Sequence, residues 1–333
     1  MSAWVYPPLP PDLLKREEEQ SLSRELGWLL RSLQESLAAL REGLQECAAL
    51  LAPTEPGSTL VLSSLRSESV KGYVTRVGAK IVKGDIHLRM SSLPPPRGSN
   101  STRICLSTAP TAPELVLDQL ALARRQINES LDVVDVSTFT GDPMNASFIS
   151  GQLRLLQDHI TGARHALKGD REDMKKPWNE GSADVNVLGT PPLPFHWFRG
   201  FVNFVLKAFD PPLPSHLSFH LTISEAALVL YLRTLEATNP SEVPTTYFAP
   251  EIGLSGFSLR DRLFGTKHQI HDESGDVFHW NGEEVKVKEK IRVESQDPSL
   301  MAAMAKLTAL EHEVMKLRRA LTVVMGNEDS DSD

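Results

Sequence analysis

The amino-acid sequence predicts an α+β protein, an elongated antiparallel four-helix bundle assembled from distant segments plus one β-rich domain. Three observations lead there. Four separated segments repeat apolar residues at alternating steps of about three and four, which on a helix draws a single stripe. The two long stretches between them are β-branched and alternate apolar with polar residues, as half-buried strands do. Proline, glycine and acidic caps mark most of the boundaries. Residues 12–52, 111–169 and 297–326 are expected in the bundle, and 57–110 and 195–296 in the β-rich domain. Residues 170–194 are expected to be a flexible insertion and 327–333 a disordered acidic tail.

The first stripe is the strongest signal in the chain. Its members are Leu26, Leu30, Leu33, Leu37, Leu40, Leu44, Cys47 and Leu51, with charged neighbours such as Arg31, Glu35, Arg41 and Glu42 off the stripe. Asp12 is the expected cap, and Pro53, Pro56 and Gly57 the expected stop. Such a helix is on the order of 55 Å long, longer than a compact domain needs.

From Thr59 the character changes. TLVLSSL, GYVTRVGAKIV and GDIHLRM read as strands, with turns expected near Lys71–Gly72, Gly78 and Lys83–Gly84. TRICLS is a further short strand. The capping-box pattern Thr111-Ala112-Pro113-Glu114 is expected to open the second helix, with the seam Val116, Leu120, Ala123, Ile127, Leu131 and Val134. Gly141 breaks it, and Asp142-Pro143 is the expected start of the third. That helix carries Ile149, Leu153, Leu156, Ile160, Ala163 and Leu167 and ends at Gly169. The short connection makes helices two and three an antiparallel hairpin.

Asp170 to Pro194 has no periodicity, and Phe195 to Phe209 reads as a short buried helix. LSFHLTI and AALVLYLRTL alternate across a turn at Ser224–Glu225, so they form a hairpin. VFHW and EEVKVKEKI flank Asn281–Gly282, the favoured two-residue hairpin turn. Asp297-Pro298 opens the last helix, whose seam is Leu300, Ala303, Leu307, Leu310, Val314, Leu317, Leu321 and Val324. Four seams each need burial, and helices two and three cover only part of each other. A supply of matching seams within one chain favours the bundle over a zipper between two copies.

Composition narrows the function. A chain of 333 residues with net charge −8 and 23% charged residues is an ordinary soluble type, and this balance argues against a nucleic-acid groove, which needs a basic face. Two cysteines, Cys47 and Cys105, cannot build a disulfide framework, which suits a reducing compartment. The N-terminus lacks a signal-peptide pattern, and no segment is apolar and long enough for a transmembrane span, so a cytoplasmic location is expected.

Catalytic chemistry is sought without success. His268, His271 and His279 lie among Asp272, Glu273 and Asp276, but their spacing matches no metal-site pattern, and a solvated loop is the plainer reading. Gly253–Gly256 lacks the lysine and strand–helix context of a phosphate loop. Cys105 has no histidine partner near it in sequence and reads as a buried strand residue. The PPLP tetrads at Pro7–Pro10, Pro191–Pro194 and Pro211–Pro214 stiffen loops more readily than they serve as ligands. Ser330 and Ser332 sit in the acidic tail. No catalytic, cofactor-binding or metal residue is expected; the seam residues are structural, and the partner-binding surface stays unassigned.

Four stretches then resemble one family. They are ELGWLLRSLQ (Glu25–Gln34), VKGYVTRVGAKIVKGDIHLRM (Val70–Met90), PLPSHLSFHLTISEAALVLYLRTL (Pro212–Leu235) and VFHWNGEEVKVKEKI (Val277–Ile291). In this order and spacing they are similar to the Rogdi family, the leucine-zipper-like proteins that include the small subunit of the fungal RAVE complex. The resemblance implies a non-enzymatic adaptor, without a cofactor, in assembly of the V-type proton ATPase. It implies as partners the large β-propeller subunit of RAVE (DmX-like in animals), a Skp1 protein and the peripheral sector of the ATPase. It also implies recruitment from the cytoplasm to vacuolar and endosomal membranes through those partners. Two other classes stay open: a homodimeric coiled-coil scaffold or tether, and an enzyme using the His268, His271 and His279 loop.

Overall fold

Helix limits follow from local chemistry at each end. In the computed structural model, which describes residues 10–65, 68–109, 111–169, 208–238, 271–280 and 283–326, helix α1 is Pro11–Leu51. Proline fits the first turn because its missing N–H has no partner there anyway. Pro10 occupies the cap position without a side-chain cap bond, so Asp12 lies inside the first turn rather than capping it. Helices α2 (Asp118–Asp135) and α3 (Ala146–Lys168) come next. α4 (Pro298–Val324) starts on Asp297, whose carboxylate accepts from the Ser299 N–H.

Two expected starts move. Leu115–Val116 is drawn into a short strand against Lys80–Ile81, so the second helix opens at Asp118 and the Thr111–Glu114 box caps nothing. Val116 is buried in that strand instead of on a helical seam. The cap of α3 is Asn145, which accepts from the Phe148 N–H, while Asp142 accepts from the Met144 N–H in the preceding turn. A π-helical turn, Val136–Thr140, extends α2 and ends where the Gly141 N–H reaches the Val136 carbonyl.

The strands are β1 (Ser58–Ser63), β2 (Val70–Val77), β3 (Lys80–Leu88), β4 (Thr102–Cys105) and β5 (Leu115–Val116), then β6 (Leu217–Ser224), β7 (Ala227–Ala237), β8 (Val277–Trp280) and β9 (Glu283–Gln296). They form two antiparallel sheets. One has the order β1-β2-β3-β4 with β5 beside β3; the other has the order β6-β7-β9-β8. Gly78 makes the β2–β3 turn at a left-handed φ of 59°. Gly72 and Gly84, expected at turns, lie inside continuous strands. A Cβ on Gly72 would sit 2.2 Å from the Asp85 carbonyl oxygen, so this glycine permits a close strand approach and not a turn. The β6–β7 hairpin turns at Glu225–Ala226, both left-handed (φ 50° and 56°) although neither is glycine. Trp280 pairs with Glu283, and the Asn281–Gly282 turn itself lies outside the described residues.

The helices fall in one unit (within Met1–Pro53, Gln119–Arg171 and Asp297–Asp333) and the strands in another (within Thr54–Asp118 and Glu172–Gln296). The α+β class is as read. The elongated antiparallel four-helix bundle is not what the structure shows. There are four α-helices among the described residues, and close helix–helix packing joins α4 to α1 and α4 to α3. α2 makes no comparably close backbone approach to another helix; its links are side-chain bonds such as Gln126 to His159 and Arg41 to Asp135. The reason is length and ends. At 18 residues, entered late from β5 and running out into a π turn, α2 cannot be a full-length stave. The helices are also separated in sequence by the β regions, which build two sheets.

At the α1–α4 contact, a Cβ added to Gly43 would lie 2.7 Å from Leu310 Cδ2, so the absent side chain lets the helices close. Leu44→Ala, at a fully buried site, is expected to cost about 3 kcal/mol, and Leu22→Ala, at an exposed one, under about 0.5 kcal/mol. Urea denaturation of the two variants checks this. Glu225→Asn is expected to raise stability by about 0.5–1 kcal/mol, because asparagine tolerates the left-handed turn better than glutamate.

Candidate interaction surfaces

The seams are placed as follows. In α1, Leu30, Leu33, Leu37, Leu40, Leu44, Cys47 and Leu51 are buried, and Leu26 at the upper end is half-buried. Ile149, Leu153, Leu156 and Ile160 of α3 are buried, as are Leu307, Val314, Leu317 and Leu321 of α4, whereas Leu310 over Gly43 is half-buried. Polar bonds flank the apolar contacts. Glu311 of α4 accepts from Thr161 (2.6 Å) and Arg164 (2.8 Å) of α3, and Arg318 donates to Gln157 (2.5 Å). Lys306 pairs with Glu46 of α1. Burial pushes the Cys47 thiol up to about 11, so it is a core hydrophobe with no thiolate chemistry.

On the N-terminal side of Leu26 the α1 stripe has no cover among the described residues. Every residue from Pro11 to Glu25 is exposed. Where this half of α1 meets the end of α4, Trp28 (64% exposed) and Val323 (72% exposed) border a shallow groove with Leu29 and Ala320. Among the described residues, no helix is long and apolar enough to cross a membrane.

The β6–β9 sheet holds a buried ionic cluster. Arg233 of β7 donates to both carboxylate oxygens of Glu273, at 2.7 and 2.9 Å. Lys290 of β9 donates to Glu273 and to Asp272, each at 2.8 Å. Both cations also lie over the Tyr231 ring, at 5.1 and 5.7 Å from its centroid. The cluster ties Asp272–Glu273 onto the sheet. It is nearly invisible in sequence, since its partners are distant; the available signal is one arginine inside the apolar run ALVLYLRTL.

The histidines do not gather. His271 accepts from the Glu273 N–H at 3.2 Å, His279 faces Glu284 across the β8–β9 ladder, and His268 lies outside the described residues. Among the described residues no group of three or more His, Cys, Asp or Glu side chains is placed to hold a metal. Cys105 is half-buried, and its thiol donates to Asp85 Oδ1 at 3.4 Å. Of the Phe195–Phe209 stretch only Ala208 and Phe209 are described. Both are buried, Phe209 bridges Leu106, and its ring meets Phe219 edge-on at 4.9 Å. Ser330, Ser332 and most of the first two PPLP tetrads also lie outside the described residues.

On the outer face of the β1–β4 sheet, Arg103 grips Asp85 through two bonds (2.9 and 2.7 Å) and holds that carboxyl below its ordinary 3.8. Lys71, Tyr73, His87 and Arg89 line a groove beside this pair.

Glu273 makes the ionic cluster pH-dependent. Burial alone would raise its carboxyl, but hydrogen bonds from Arg233 and Lys290 outweigh that and hold it below the ordinary 4.5. A depressed acid stabilises the fold above its unfolded pKa, and this stability is lost as pH falls through the lower folded value. The wild type is therefore expected to lose stability as pH drops below 4.5, with Glu273→Gln flattening that part of the profile. At neutral pH the same substitution is expected to cost about 3 kcal/mol. Denaturant midpoints across a pH series check both.

Comparison with known proteins follows this geometry. A family model described as "Rogdi leucine zipper containing protein" matches residues 25–322. The protein "Regulator of V-ATPase in vacuolar membrane protein 2" of Schizosaccharomyces pombe is 24% identical over 302 residues, which are 87% of this chain and 90% of the relative. The family match spans the buried α1 stripe, both sheets and nearly all of α4. This chain belongs to the family of Rogdi leucine-zipper-containing proteins.

Proposed function

We propose that this chain is a non-enzymatic adaptor in regulation of the V-type proton ATPase, acting within a RAVE-like complex that promotes assembly of the pump. The observation that carries this reading is the similarity, over 87% of this chain and 90% of the relative, to a protein named as a regulator of V-ATPase in the vacuolar membrane. Its partners on this reading are the large β-propeller subunit, a Skp1 protein and the peripheral ATPase sector. It works from the cytoplasm and reaches vacuolar or endosomal membranes through those partners.

The architecture supports an adaptor over the two rivals. The α1 stripe from Leu30 to Leu51 is buried within one chain, which removes the surface a zipper dimer needs. Exposed large apolar side chains, including Trp28 on α1, suit a protein that works by contact. The buried charges Arg233, Lys290 and Glu273 pair with one another, which is a structural use of charge.

The test is a pull-down from cytosol with the full chain. The expected result is recovery of a large propeller protein together with peripheral-sector ATPase subunits, and a rise in vacuolar pH on deletion of the gene. A clean pull-down with neither partner, and unchanged vacuolar pH, would sink the reading.

A further inference from the structure

The outer face of the β1–β4 sheet carries cations, Lys71, Lys83 and Arg89, that form no ion pair among the described residues. Strand register fixes its layout. Val61, Tyr73, Asp85 and Cys105 stand opposite one another across four strands, and Ser63, Lys71, His87 and Arg103 form the next rank. The alternate residues Leu60, Leu62, Val74, Ile86 and Ile104 are buried, so both ranks point outward. Three basic side chains therefore lie side by side, with Arg89 just beyond His87 in the same groove. Lys83 adds a cation on the far side of the Asp85 rank, opposite Thr75.

Lys71 and Arg103 flank His87 in one rank, with Lys83 and Arg89 near it, and this gathering of cations favours negative charge. The face itself supplies little. Asp85 is bound to Arg103 by both oxygens. Glu68 borders the groove, but among the described residues Lys71, Lys83 and Arg89 are in no ion pair with it or with any other carboxylate. The chain as a whole is acidic, at net −8, so a basic face is a local feature and not the general surface. Next to the cations, Val61 and Tyr73 are exposed, at 65% and 42%. Apolar and aromatic side chains beside arginine and lysine suit protein contact better than plain solvation.

We propose that this face docks an acidic segment of a partner protein, whose carboxylates pair with Lys71 and Arg89 while an apolar side chain covers Val61 and Tyr73. Charge complementarity selects the occupant. The adaptor reading supplies only the kind of occupant, a protein, and the surface stands or falls separately from the pump.

The test uses the full chain and a short fluorescein-labelled peptide of glutamates around a central leucine, followed by fluorescence anisotropy. The wild type is expected to bind the peptide and to ignore its glutamine counterpart. Lys71→Glu with Arg89→Glu is expected to weaken binding at least about tenfold, and Lys71→Gln with Arg89→Gln, the milder pair, by several-fold. Lys316→Glu, on α4, is expected to leave it unchanged. Raising salt from about 50 mM to about 500 mM is expected to release the peptide, because the pairs are exposed. Equal binding by wild type and the charge-reversed chain would overturn the proposal. So would binding to phosphatidylserine vesicles without binding to the peptide, which would make the face a membrane contact. If the charge-reversed chain still recovers the propeller protein and ATPase subunits, the adaptor reading survives with its contact elsewhere. If the wild type binds the peptide but recovers neither, the surface survives and the pump assignment fails.

Discussion

The helical unit depends on burying one stripe of α1. From Leu30 to Leu51 that stripe is almost wholly removed from water, and each buried leucine contributes about 2 kcal/mol. Its cover comes from the other end of the sequence. Glu46 and Lys306, which pair where α1 meets α4, are 260 residues apart. The exposed pair itself contributes under about 1 kcal/mol; the leucines around it decide the contact. Because α4 must return to close the stripe, both β segments are held as insertions between helices. The same contact explains Gly43, where a larger residue would push Leu310 and its helix away.

The β unit handles charge in two ways. Inside, Arg233 and Lys290 are tied to Glu273, and the cations stack over Tyr231, so desolvated charges are satisfied by one another. Outside, on the other sheet, His87 reaches Asp85 at 3.8 Å and Ser101 at 3.3 Å, while Lys71 opposite it is in no ion pair among the described residues. The inner cluster orders a segment of the fold. On the outer face Arg103 is bound to Asp85, whereas Lys71, Lys83 and Arg89 are in no ion pair among the described residues, and this contrast separates a structural use of charge from one that fits a partner.

Much of this was legible in the sequence because short-range periodicity has few interpretations. The alternating threes and fours of α1, α3 and α4, the Asp297-Pro298 start and the β6–β7 alternation each specify an element locally. Failures came where a tertiary partner overrode a local rule. Thr111–Glu114 has a capping pattern, yet Leu115–Val116 gains more by adding to β3. Gly72 and Gly84 look like turn residues, yet they allow a close strand approach inside a sheet. Counting seams suggested an elongated antiparallel bundle of all four helices, but a seam says only that a stripe is buried, not how closely the backbones approach; α2 is too short and too irregular at its end for that role. The ionic cluster and the basic rank depend on cross-strand register, which a linear reading does not supply.

The central claim is that the α1 stripe is closed within one chain, against α4. Amide hydrogen exchange of the full chain, at two concentrations about a hundredfold apart, tests it most directly. Protection across Leu30–Leu51 that is strong and the same at both concentrations, with faster exchange over Pro11–Arg24, is the predicted result. Protection of Leu30–Leu51 that fades on dilution would mean that a second copy covers the stripe, and would contradict the account.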